Sequence, residues 1–126
     1  MTATDPGTVD AGELRRLLRE LSGDLRSRRR FVQSYVEMWP TRLARLGAAI
    51  QDGDAEETKV VLLSIRSSSV MLGVIGVAAL ASTGLRAIEE QDHARVLETR
   101  NALEDIGERS CQRLVQLEAA EALQGR

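Results

Sequence analysis

A chain of 126 residues with 43% hydrophobic and 29% charged residues has the size and apolar content of one folded domain, which excludes a second core and a wholly disordered chain. Its formal net charge of −2 is too small for the whole-molecule field to gather nucleic acid or hold an anionic membrane surface. One cysteine, Cys111, excludes an intramolecular disulfide and a multi-cysteine metal site, so the expected setting is a reducing cytoplasm with Cys111 as a small packing residue.

Met1 to Val9 is polar and lacks the basic and apolar regions of a secretory leader, so residues 1–9 are expected to form a flexible N-terminus ahead of a helical domain over 10–122, with 123–126 as a tail. The first predicted helix starts at Asp10, with Glu13 completing a capping-box pattern and Leu14, Leu17, Leu18 and Leu21 as its apolar stripe; Ser22 and Gly23 end it. Val32, Val36, Trp39, Leu43, Leu46 and Ile50 then recur every three to four residues and predict a long helix from Leu25 to Ile50. Pro40 interrupts that pattern and predicts a kink or a junction of two helices. Phe31, Tyr35 and Trp39 fall at four-residue steps and are expected to pack in the core.

Gln51 to Asp54 predicts a turn, and Asp54 with Glu57 repeats the capping-box pattern before a third helix that runs to Leu72. Gly73 and Gly76 punctuate the next turn, and Val77, Leu80, Ala81, Leu85 and Ile88 mark a fourth helix ending near Gln91. Asp92 caps a last helix with the stripe Val96, Leu97, Leu103, Ile106, Leu114 and Leu117. The run Val70 to Ala81 falls short of the roughly 20 apolar residues a bilayer span needs. No strand alternation and no internal repeat appears. The expected fold is all-α: an up-and-down antiparallel four-helix bundle with an additional short N-terminal helix.

The third helix reads Leu62-Leu63-Ser64-Ile65-Arg66-Ser67-Ser68-Ser69-Val70-Met71-Leu72-Gly73. It resembles the signature of the histidine-phosphotransfer (HPt) family, with Ile65, Arg66, Ser68, Ser69, Leu72 and Gly73 matching or conservatively replacing its positions. Phe31 to Tyr35, Leu43 to Ile50 and the Asp52-Gly53-Asp54-Ala55 turn resemble the family's preceding helix and turn, and Leu80 to Glu89 its closing helix. The similarity spans about residues 28–118. The resemblance implies a phosphorelay protein of bacterial two-component signalling whose partners are response-regulator receiver domains or histidine kinases.

Two departures alter that implication. Leu63 occupies the phosphoacceptor histidine position, and Ser67 stands where the family has a glycine beside the imidazole. Leucine offers no ring nitrogen to attack an aspartyl phosphate, so phosphotransfer through this site is chemically excluded. The expectation becomes a pseudo-HPt protein, without catalytic residue, cofactor or metal, that docks its partner and acts by occupancy.

At about 100° per residue, Val61, Leu62, Ile65, Ser69 and Leu72 share one arc of this helix, the expected core face. Leu63 lies on the opposite side with Lys59, Arg66, Ser67 and Val70, and with Glu56 and Val60 at the edge. Glu56, Lys59, Val60, Leu63, Arg66, Ser67 and Val70 are therefore the expected partner-binding residues: an apolar strip, which Val74 would extend, ringed by charges. A competing expectation covers the strip with the N-terminal helix. Another, of a different class, makes the protein a structural bundle that self-associates through the strip.

His93 is the sole histidine and follows the cap Asp92, where a surface role is expected. Residues 13–30 hold seven arginines against Glu13, Glu20 and Asp24, and the four between Arg26 and Arg30 are expected to form a solvated face. No aromatic interleaving or helix-turn-helix pattern supports nucleic-acid binding. Within Ser67 to Ser69, two residues are expected to face inward. No constellation points to an enzyme.

Overall fold

Aspartates mark the helix starts. In a computed structural model that describes residues 9–124, five helices follow one another: α1 (Ala11–Glu20), α2 (Leu25–Gln51), α3 (Ala55–Leu72), α4 (Ile75–Glu89) and α5 (His93–Gln124). Residues 1–8 of the expected flexible N-terminus, and the last two of the expected tail, lie outside the described residues. Val9 packs partly buried against the core, and α5 continues through Leu123 and Gln124, two residues into the stretch read as a tail.

Asp10, Asp24, Asp54 and Asp92 each accept a first-turn backbone N–H, from Gly12, Arg26 and Ser27, Glu57, and Arg95 respectively, at 2.9–3.2 Å. The two expected capping boxes do not close, because their glutamates have other partners: Glu13 pairs with Arg16, and Glu57 takes Arg45 Nη2 at 2.7 Å. The cap N–H groups are satisfied elsewhere, Asp10 donating to Gly73 O at 2.7 Å and Asp54 to Ala49 O at 2.9 Å.

The α2 helix runs unbroken through Pro40, which rules out the two-helix junction. α4 begins at Ile75 rather than Val77, so Gly76 lies in its first turn. One residue reverses the chain: Gly73 caps α3 at φ 74°, and a Cβ there would sit 2.7 Å from both Asp10 O and Glu13 Cβ, where α1 docks. Among the described residues there is no strand, and no helix is long and apolar enough to cross a membrane.

The helices form a bundle. α2 packs on α3 and α5, α4 packs on α3 and α5, and α1 rests on α3 and α2. A cleft of about 850 Å³ is lined by Ile50 from the end of α2, Lys59 from the start of α3, Ile88 from the end of α4 and His93 from the start of α5, so these four ends meet. The core is built from Val32, Leu46, Leu62, Ile65, Leu72, Val77, Leu103 and Leu114, all at most 2% exposed, with Tyr35 and Trp39 stacked at a centroid distance of 6.1 Å.

Three sequence expectations fail here. Phe31 is 40% exposed, so the aromatic stripe enters the core only at Tyr35 and Trp39. Leu97 is 51% exposed, and Val96, Thr99 and Leu103 carry the inner face of α5 instead. Arg28 belongs to no solvated face: it is 1% exposed, donates from Nε to Glu118 Oε1 at 2.7 Å and from Nη1 to Leu14 O at 3.1 Å, and pairs with Glu121. It thereby joins α1, α2 and α5 at one point.

Candidate functional site

The core arc read from the α3 sequence is the buried one: Val61, Leu62, Ile65, Ser69 and Leu72 are all at most 2% exposed. The opposite face is open, as the same rotation requires. Val60 is 53% exposed, Leu63 43% and Val70 58%, with Ser67 also exposed between them. Glu56 extends into solvent and meets Lys59 Nζ only at 3.9 Å, while Arg66 is half-buried with no hydrogen bond or ion pair among the described residues.

Val74 does not extend the strip, being fully buried. The helical rotation ends at Leu72, and the left-handed Gly73 turns Val74 into the core as the N-cap of α4. Met71 takes its place: it is 40% exposed and lies about 20° from Val60 around the helix axis. The sequence held that signal, since the rotation that selects Leu63 also selects Met71. Nor does α1 cover the strip. Its Glu13, Arg16, Leu17 and Glu20 border a recess with Val70 and Met71 at the end of α3, while Leu63 and Val60 stay exposed.

Across the adjoining groove, α2 presents Phe31 and Met38, the latter 45% exposed, and a small recess brings Phe31 and Met71 together. The exposed apolar surface therefore spans α3 and the outer edge of α2. Apolar surface of this kind with charged neighbours is what protein docking sites offer.

The three serines separate as their rotation dictates. Ser67 is exposed, Ser68 is half-buried and donates to Ser64 O at 3.0 Å, and Ser69 is fully buried with its hydroxyl 2.7 Å from the Tyr35 hydroxyl. Burial pushes the Tyr35 phenol well above its ordinary range, against the opposing effect of the Ser69 hydrogen bond. The pair locks α2 to α3 directly behind the exposed face.

His93 is exposed at the start of α5 and lines the end cleft with Lys59, about five turns before Cys111 on the same helix. No group of three or more His, Cys, Asp or Glu side chains among the described residues is arranged to hold a metal ion. Cys111 is 8% exposed, and burial, with a smaller contribution from the Glu108 charge, pushes its thiol up to about 11. The folded thiol thus keeps its proton where the unfolded one, at about 9, loses it; stability is expected to fall as pH rises from about 9 towards 11. Iodoacetamide at pH 8 is expected to alkylate Cys111 slowly in buffer and rapidly in denaturing urea. Equal rates would contradict this burial.

The chain matches no protein-family model, no curated protein and no solved structure.

Proposed function

We propose that the protein is a non-phosphorylatable HPt-like component of bacterial phosphorelay signalling, which docks a receiver or histidine kinase domain on the outer face of α3 and acts by occupying it. In this reading α2 to α5 form an up-and-down antiparallel four-helix bundle of HPt type, α1 is an addition to it, and the protein works in the cytoplasm. The observation that carries the reading is the exposure of Leu63 at the pseudo-phosphoacceptor position within an apolar strip, Val60, Leu63, Val70 and Met71, bordered by Glu56, Lys59 and Arg66. A leucine there transfers nothing, yet it keeps the surface on which the histidine-bearing relatives of the resemblance meet receiver domains. Arg66, without a partner among the described residues, is available to a carboxylate on the docked domain.

The test is titration of the purified chain with receiver and histidine kinase domains encoded beside it, wild type against Leu63→Asp. Leu63 is 43% exposed, so the aspartate is expected to change stability by no more than about 0.5 kcal/mol while weakening binding at least tenfold, because it places a charge at the centre of the apolar contact. No binding by the wild type to any such domain would overturn the proposal and leave self-association through the same strip as the reading to pursue.

A further inference from the structure

Beside the strip, the groove between α2 and α3 contains a cation that has no hydrogen bond or ion pair among the described residues. Phe31, Ser34, Arg42, Ser68 and Met71 line a recess there of about 140 Å³. That is room for one side chain, well below the roughly 300–1,000 Å³ of a small-molecule site. Most of its polar groups already have partners. The Tyr35 hydroxyl pairs with Ser69, Ser68 donates to Ser64 O, and the Ser34 hydroxyl makes a weak contact to Met38 Sδ at 3.6 Å.

Arg42 is the exception. Its Nη1 is enclosed with no hydrogen-bond partner, and no carboxylate among the described residues pairs with its guanidinium. The next arginine along α2 makes the contrast, since Arg45 has the Glu57 carboxylate at 2.7 Å. A guanidinium cannot shed its proton to relieve an enclosed, unused donor, so an acceptor brought into the recess would satisfy it. Arg42 is also the one charged residue among those described around the recess; exposed Phe31 and Met71 line it with Arg42, and exposed Met38 adjoins it through its contact with Ser34. Charge and size together call for a single carboxylate carried on an apolar surface.

We infer that the α2–α3 recess receives one acidic side chain of a docked protein partner, gripped by Arg42, while Phe31, Met38 and Met71 pack against the apolar neighbours of that acid. The inference rests on the docking reading above and adds the chemistry of the partner: an aspartate or glutamate set in an apolar patch. No hydrogen bond or ion pair among the described residues holds the Arg42 guanidinium, so meeting a carboxylate with its planar fork breaks no internal bond.

The test uses the full, isotope-labelled chain titrated with propionate, and separately with uncharged propionamide, at constant ionic strength. The expected result is saturable NMR shifts of the Arg42 Nε–H and of the Ser34, Ser68 and Met71 amides with propionate and none with propionamide. These shifts are expected to vanish in Arg42→Gln, to weaken in Arg42→Lys, which keeps the charge but loses the fork, and to persist in Leu63→Asp. Non-saturating shifts spread equally over exposed Arg26, Arg29 and Arg30, or shifts unaffected by Arg42→Gln, would overturn the inference. A receiver or kinase domain that binds wild type is expected to bind Arg42→Gln at least tenfold more weakly; undiminished binding would also overturn it. Failure of every such domain to bind wild type instead overturns the docking reading, so the two failures are distinguishable.

Discussion

Arg28→Ala is expected to lower the unfolding free energy by about 3–5 kcal/mol, whereas Arg29→Ala or Arg30→Ala, two exposed residues in the same run, should change it by no more than about 0.5 kcal/mol. The asymmetry follows from what each removal leaves behind. Arg28 is 1% exposed and holds Glu118, itself 7% exposed, together with Glu121 and the Leu14 carbonyl. Without the guanidinium, the Glu118 carboxylate is left uncompensated in a site with little water, the more open Glu121 loses its counter-charge, and α1 loses the bond that its Leu14 carbonyl accepts from α2. Urea unfolding of the three alanine variants checks this. The intact cluster itself need not be strongly stabilising, because desolvating three charges offsets much of their attraction. Arg28→Met combined with Glu118→Leu and Glu121→Leu is accordingly expected to recover most of the loss. An Arg28→Ala variant as stable as Arg29→Ala would contradict the buried cluster.

Gly107→Ala is the second large effect, and its sign opposes what helix propensity alone suggests. In the middle of α5, exchanging glycine for alanine is ordinarily worth up to about 1 kcal/mol of added stability. Here the new methyl would overlap the Trp39 indole, meeting Cζ2 and Cε2, with Nε1 2.7 Å away. The ring has no easy retreat, since Trp39 is 5% exposed and stacked on Tyr35, which is itself bonded to Ser69. Overpacking of this kind costs about 1–3 kcal/mol and occasionally more, so a net loss of about 2 kcal/mol is expected in urea unfolding. In a double-mutant cycle, Trp39→Leu should remove most of the penalty of Gly107→Ala, because the smaller side chain vacates the space. A more stable Gly107→Ala protein would show that α5 and α2 are not in this close register.

Both predictions turn on residues whose importance is invisible within their own helix. Periodicity located the core face of α3 residue by residue, and Asp10, Asp54 and Asp92 located three of the helix starts, because these signals are complete within one or two turns. Arg28 looked like its neighbours in the run Arg26 to Arg30, since its partner Glu118 is 90 positions away. Gly107 carried no signal of its own for the same reason. Phe31 misled for a geometric one: a four-residue step advances about 400°, so a stripe drifts by about 40° per step and its end leaves the core. Val74 failed because the rotation of α3 was extended past the glycine that ends it. The strip of Val60, Leu63 and Val70 was legible from rotation alone; its extension to Phe31 and Met38 on α2 needed the packing of two helices.

The most direct test of docking on the outer face of α3 is an amide chemical-shift map of the labelled chain at saturation with a receiver domain encoded beside it. Perturbations are expected to concentrate at Val60, Leu63, Arg66, Ser67, Val70 and Met71, continuing to Phe31, Met38 and Arg42. Perturbations confined to the end cleft around His93, or no perturbation with any such domain, would contradict docking on this face.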